Sequence, residues 1–290
     1  MLSPWLELPG ADERIAAWSD AIGLDLARLG TTATAEEITD TAVTQPLVVA
    51  ATLLAHGELT TRGLLAGAET VVAGHSVGEI AAYAIAGVLS ADDAVTLAAT
   101  RGSEMAKACA VEPTGMAAVL GGDETEVLAR LDALDLVPAN RNAAGQIVAA
   151  GALSALDKLV EDPPEKARVR KLATAGAFHT HFMSSALDGY SAAADAVTVA
   201  EIAASTTLLS NADGQPVTSA ADAMTKLVAQ LTRPVRWDLC NESLRQREVA
   251  AIVEFPPAGT LVGIAKRELR GVPTYAVKTP ADLDGLAELA

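Results

Sequence analysis

The stretch VVAGHSVGEIAAYAIAGV, Val71 to Val88, decides the reading of this chain. A short β-branched run, Val71 to Ala73, predicts a strand. An alanine-rich apolar run from Ile80 to Ile85, closed by Gly87, predicts a buried helix. Between them stands G-x-S-x-G, the nucleophile-elbow pattern, with Ser76 at the turn. Such a turn forces the serine into a strained backbone, and Gly74 and Gly78 are expected to relieve the crowding at its flanks. Ser76 then stands at a helix N-terminus, where unpaired N–H groups favour negative charge. The N–H of Val77 is the candidate donor to a developing oxyanion.

A serine hydroxyl needs a base, and the chain has four histidines. His75 adjoins Ser76, so its ring is expected to point away and serve the structure. His56, before Gly57, reads as the C-terminal cap of the helix that follows the turn-like Gln45-Pro46. His179 and His181, in AGAFHTHFM, re-enter the body after a presumed strand, where a loop reaches a cleft. Spacing alone does not choose between these two.

Around this feature the chain alternates strands and helices. Residues 12–30 read as one helix and Glu36 onward as another. Ser90, with Asp93 three positions later and an acidic first turn, caps the helix AVTLAATRGSEMAKAC. After Pro113 the pattern is GMAAVLG (strand), ETEVLARLDAL (helix), QIVAAG (strand), LSALDKLVED (helix) and ARVRKLAT (strand). That β-α-β-α-β order predicts a small ferredoxin-like unit, residues 114–180, inserted in a larger α/β body formed by 1–113 and 181–290. TLLSN, a helix ending near Arg233-Pro234, AIVEF and a helix through Leu269 continue the body.

Composition narrows the function classes. Hydrophobic residues make up 50% and charged residues 20%, the profile of a globular chain with an Ala/Leu/Val/Ile core, since aromatics are only 3%. No apolar run approaches the ~20 residues of a membrane-spanning helix, and MLSPWLELPG lacks the basic and apolar regions of a secretory signal. Cys109 and Cys240 cannot make a disulfide framework or, with so few histidines, a zinc site; they read as free thiols of a cytoplasmic protein with no metal. A net charge of −16 disfavours nucleic acid and anionic membrane as partners. Basic residues nevertheless cluster: Lys166, Arg168, Arg170 and Lys171; Arg233 and Arg236; Arg245 and Arg247; Lys266, Arg267 and Arg270. They form either a solvated face or a docking surface for an acidic macromolecule or a phosphorylated ligand.

Four motifs in order, GHSVGEIAA, ATRGSEM with Arg101, AFHTHFM and QLTRPVRW, resemble the malonyl-CoA:acyl-carrier-protein transacylases, the acyltransferase family of fatty acid and polyketide synthesis. The resemblance runs from Met1 to about Leu269. It implies an α/β-hydrolase-like body with an inserted ferredoxin-like subdomain. It also implies transfer of malonyl from malonyl-CoA to the phosphopantetheine thiol of holo-acyl carrier protein for fatty acid elongation, with no bound cofactor. Carried over position by position, Ser76 is the acyl-bearing nucleophile and His179, in the H-x-x-x-M pattern completed by Met183, its base; His181 becomes a bystander. Arg101 pairs with the free malonyl carboxylate, and the backbone carbonyl of Gln230 orients the histidine. Gln45, Met105, Asn140 and Asn142 match positions that line the cleft. The basic clusters become the docking surface for an acidic carrier protein, and the enzyme reads as a monomer.

The family opens with a strand and G-Q-G-S-Q, which supplies a second oxyanion donor. A chain starting at MLSPW therefore reads either as a start placed too far downstream, favoured by the intact later motifs, or as a truncated, inactive homologue. PPAGTL, at 256–261, replaces the family's glycine-proline-glycine turn. A serine esterase or thioesterase on the same elbow is the rival activity; it would have no use for Arg101.

Overall fold

The computed structural model describes residues 1–289. The first part of the chain is helical: α1 (Ala11–Ile22), α2 (Leu26–Thr31), α3 (Ala35–Thr39) and α4 (Thr41–Thr61). The single helix expected over 12–30 is two. Gly23, at φ 68°, closes α1 with a left-handed cap, and the Asp25 carboxylate starts α2 by accepting from the Arg28 N–H. Gln45-Pro46, expected as a turn, lies inside α4. Asp40 caps this helix through the Ala42 N–H, and Pro46 forfeits only a bond to the first turn. His56 therefore sits within α4 rather than at its end, edge-on to the Phe255 ring at 5.8 Å.

β1 (Thr70–Val72) leads through the Ser76 turn into α5 (Gly78–Ile85) and α6 (Ala91–Cys109), whose Ser90 hydroxyl accepts from the Asp93 N–H. Helix α4 is apolar all round, with Leu47, Val49, Ala50, Ala51, Leu53, Leu54 and Ala55 buried, and packs along α6. These two helices are the centre of the main core, together with Trp5, Trp18, Tyr83 and Tyr190.

Next come β2 (Thr114–Gly121), α7 (Glu124–Asp132), β3 (Val137–Ala143), β4 (Gln146–Ala152), α8 (Leu153–Glu161) and β5 (Ala167–Lys171). The unit is thus β-α-β-β-α-β; strand β3, VPANRNA, was not expected from its sequence. It forms because β4 pairs with it antiparallel, with irregular register at Pro138/Asn140 and Arg141/Ala143. The sheet order is β5-β2-β4-β3-β7, in which β7 (Val235–Arg236) joins parallel to β3. One sheet face buries Ala117, Val119, Ile147 and Ala149 against Val127 and Leu131 of α7 and Leu156 and Leu159 of α8. The other face packs Met116, Ala139, Val148 and Ala150 against Ala177, Phe178 and Phe182, the segment that carries His179.

The rest of the body adds a 3₁₀ segment (His181–Ala186), α9 (Leu187–Ala196), β6 (Thr206–Leu208), α10 (Ala220–Ala229), a 3₁₀ turn (Gln230–Thr232), α11 (Trp237–Gln246), β8 (Ile252–Glu254), α12 (Thr260–Glu268) and β9 (Thr274–Ala276). β1 pairs parallel with β6, placing Val72 beside Leu208, and β8 pairs parallel with β9. In the PPAGTL turn the Glu254 carboxylate accepts from the N–H groups of Gly259, Leu261 and Val262, so an anion caps the start of α12. No helix among the described residues is long and apolar enough to cross a membrane. Cys109 and Cys240 are free thiols.

Candidate active site

The site begins where two parallel strands end together. Because β1 and β6 are adjacent and in register, the turns that follow them, 73–77 and 209–215, emerge side by side. Ser76 occupies the first at φ 54°, a left-handed conformation strained for a side chain larger than glycine. The Ser76 N–H donates to Asn211 Oδ1 at 2.8 Å, and Asn211 Nδ2 donates to the Gly74 carbonyl at 2.8 Å. Asn211 thereby clamps the elbow from the second turn. A Cβ at position 74 would lie 2.0 Å from the Gly78 carbonyl oxygen, whereas one at position 78 would have nothing within 4 Å. The two glycines expected to relieve the turn are therefore unequal. Gly74 makes the close backbone approach possible, and Gly78 is only the surface approached.

His179 reaches Ser76 from the far side of the chain. Its Nε2 is 2.7 Å from Ser76 Oγ, and its Nδ1 is 2.8 Å from the Gln230 carbonyl oxygen. A carbonyl only accepts, so Nδ1 carries the proton and Nε2 offers its lone pair to the serine hydroxyl. His179 also has a left-handed backbone, φ 61°, and is buried. Burial, and secondarily the nearby Arg101 cation, hold its pKa down to about 3, so the imidazole is neutral at ordinary pH. His181 is exposed, its ring against Phe182 and away from the serine. His75 turns from the serine to Asn142 Oδ1 at 2.8 Å and packs edge-on to Trp237. The Val77 N–H, at the start of α5, donates to no group among the described residues.

Arg101 lies on α6 with only 1% of its surface exposed. Its Nη1 donates to Gln45 Oε1 at 2.6 Å and its Nη2 to Gln230 Oε1 at 2.8 Å; Nη2 also stands 3.5 Å from Ser76 Oγ. Gln45 can reach it because α4 continues through Pro46 alongside α6. Gln45 Nε2 is fixed in turn by Thr41 Oγ1 at 2.9 Å and Met105 Sδ at 3.4 Å. Met183 is fully buried one turn beyond His179. Asn140 and Asn142 are buried on β3, and of the two it is Asn142 that bonds into the site, through His75.

Two residues of the network were not singled out in the sequence, Asn211 and Glu79. Glu79 is fully buried; its Oε1 accepts from the Asn211 N–H at 2.7 Å and its Oε2 from Gln230 Nε2 at 2.5 Å. Burial pushes its pKa up to about 7. The signal available was an acidic residue one turn after the serine in an otherwise apolar helix. Among the described residues no cluster of three or more His, Cys, Asp or Glu could hold a metal ion.

The site thus joins a strained serine, a neutral histidine locked in one tautomer, a free backbone N–H and a buried guanidinium within reach of the hydroxyl. Comparison with known proteins agrees with this chemistry. The family described as "Acyl transferase domain" matches residues 11–281. The malonyl CoA-acyl carrier protein transacylase of Mycolicibacterium smegmatis is 81% identical, with 100% of both chains covered. The crystal structure of MCAT from Mycobacterium tuberculosis superposes with a TM-score of 0.96 at 75% identity, covering 99% of this chain and 94% of that one. A structure of a type II PKS acyl-carrier protein in complex with its malonyl-transacylase matches with a TM-score of 0.91 at 27% identity, covering 100% of this chain and 95% of that one. The chain belongs to the acyl transferase family, and within it to the malonyl-CoA–acyl carrier protein transacylases.

Proposed function

We propose that Ser76 and His179 perform a two-step acyl transfer in which Arg101 selects the acyl group. The activity is malonyl-CoA:acyl-carrier-protein S-malonyl transfer in fatty acid synthesis. The observation that carries the assignment of residues is the buried Arg101 with its Nη2 3.5 Å from the nucleophile oxygen. An esterase has no need of a desolvated cation there. A malonyl group has a free carboxylate near its thioester carbonyl, and a guanidinium binds it through two parallel N–H bonds.

In the first step His179 Nε2 takes the Ser76 proton as Oγ attacks the thioester carbonyl. The Val77 N–H and the N-terminus of α5 face the negative charge that develops on the carbonyl oxygen. The C–S bond breaks, and CoA leaves as the thiol with the proton that His179 returns. In the second step the phosphopantetheine thiol of the carrier protein gives its proton to His179 and attacks the malonyl-serine. The Ser76 oxygen leaves and regains that proton. The Gln230 carbonyl keeps Nδ1 protonated throughout, so no aspartate is required.

The roles of Gln45 and Met105 follow from their contacts: Gln45 holds Arg101 until a substrate carboxylate arrives, and Met105 backs Gln45. Residues 114–180 form the inserted subdomain, whose sheet supports the His179 segment. The acidic carrier protein docks on basic residues, and those of β5 are the best placed. Arg168 and Arg170 are exposed on an edge strand and have no ion pair among the described residues, with Lys166 and Lys171 beside them paired to Glu165 and Asp157, whereas Arg236 is paired with Asp238 and Arg245 with Glu242. We place the enzyme in the cytoplasm as a monomer. Initial-rate kinetics test the scheme: parallel double-reciprocal lines for malonyl-CoA and carrier protein are the expected result, and intersecting lines contradict it.

A further inference from the structure

The side-chain amide of Gln230 stands between the Arg101 guanidinium and the Glu79 carboxyl group. Arg101 Nη2 can only donate, and it meets Gln230 Oε1 at 2.8 Å. On the other side Glu79 Oε2 is the shortest acceptor of Gln230 Nε2, at 2.5 Å, with the Ser76 carbonyl at 3.2 Å and Asn211 Oδ1 at 3.3 Å beyond it, while Glu79 Oε1 is taken by the Asn211 N–H at 2.7 Å. An amide has nearly equal shape in its two orientations, so its bonding partners decide which way it lies. We propose that Glu79 is a positioning residue for substrate selection: its carboxylate fixes the Gln230 amide so that a carbonyl, not an NH₂, faces Arg101.

The inference deepens the acyl-transfer reading above and rests on it. Glu79 touches neither Ser76 Oγ nor the guanidinium, so it acts through Gln230. A glutamine at position 79 would keep the shape and break the pattern. Its one carbonyl would accept from the Asn211 N–H, and its NH₂ would then face Gln230. Meeting a donor in place of its shortest acceptor, the Gln230 amide would turn over despite its two longer acceptors, Ser76 O and Asn211 Oδ1, placing its own NH₂ against the donor-only Arg101. The guanidinium would be pushed from its place beside Ser76. The Gln230 backbone carbonyl, which holds His179, would be unaffected.

The test compares a substrate that needs Arg101 with one that does not. Malonyl-CoA is the first; p-nitrophenyl acetate, a neutral ester that acylates Ser76 directly, is the second. The expected result for Glu79→Gln is a rise of about tenfold or more in KM for malonyl-CoA, the scale of coupling within one hydrogen-bond network. Acylation by p-nitrophenyl acetate should change less than about threefold. In a Gln230→Ala background, where no amide remains to orient, Glu79→Gln should add less than about twofold to the malonyl-CoA KM. Glu79→Asp, which withdraws the carboxylate from Gln230 while keeping its charge, should repeat the selective loss and serves if Glu79→Gln does not fold. Parallel loss with both substrates, or an equal effect of Glu79→Gln with and without the Gln230 amide, overturns the proposal. A wild-type enzyme that transfers no malonyl would defeat the acyl-transfer reading itself, a distinct outcome.

Discussion

Ser76 and His179 meet at 2.7 Å across 103 positions of chain, and both hold left-handed backbone angles, φ 54° and 61°. The proposed catalytic pair is therefore kept in geometry that the local chain disfavours, at a cost of order 1–3 kcal/mol for each residue. The surrounding fold imposes it: Asn211 clamps the serine turn, and the ferredoxin-like sheet packs on the histidine segment.

Strain at Ser76 has a measurable sign. Ser76→Ala and Ser76→Gly both remove the hydroxyl, but only glycine relaxes at positive φ. Ser76→Gly should be the more stable of the two inactive variants by about 1 kcal/mol. Thermal or denaturant unfolding checks this, and equal stabilities would show that the turn is unstrained.

The two elbow glycines should respond differently to alanine. Gly74→Ala places a methyl group against the Gly78 carbonyl and should cost about 2–4 kcal/mol of stability. Gly78→Ala meets open space and should stay within about 0.5 kcal/mol of wild type. A comparable loss in both would contradict the one-sided approach seen here.

Arg101 should set the choice of acyl group. Arg101→Ala removes charge-assisted bonds to the malonyl carboxylate and should lower the ratio of malonyl to acetyl kcat/KM by about 10²–10³. Arg101→Lys keeps the charge without the two-pronged donor and should recover only part of it. Competition between the two CoA esters measures the ratio directly.

The low pKa of His179 predicts the pH profile. The proposed mechanism uses its neutral form, and burial with the Arg101 cation opposes protonation until the pH approaches about 3. Acylation of Ser76 by p-nitrophenyl acetate should therefore hold its kcat/KM from pH 8 to 5, without the fall near 6.5 that an ordinary histidine gives. The same shift makes the native state bind fewer protons than the unfolded chain between about 3 and 6.5. The His179 contribution to stability is thus present above 6.5 and declines as pH falls through that window. Glu79 acts oppositely: its raised value means that stability declines as pH rises from 4.5 to about 7. Comparing Tm against pH for the wild type and Glu79→Gln separates the two.

Local sequence carried the strand–turn–helix around Ser76, the Ser90 cap and most of the subdomain, because each rests on near-neighbour patterning. It did not carry strand β3, where a proline and two asparagines suggest a loop and pairing with β4 overrides propensity. Gln45-Pro46 looked like a turn because the sequence does not show that a capped, largely buried helix can run through an early proline. Glu79 and Asn211 were illegible for another reason. Their roles arise from three segments far apart in sequence that meet where β1 and β6 end. The choice of His179 over His181 came from the family resemblance; their positions alone left it open.

The central claim, that Ser76 carries malonyl between CoA and the carrier protein, is tested most directly by mass spectrometry after mixing the enzyme with malonyl-CoA. The account predicts one malonyl adduct on the Ser76 peptide that persists in water and clears on addition of holo-acyl carrier protein. An adduct on another residue, none at all, or one that clears equally fast without carrier would contradict it.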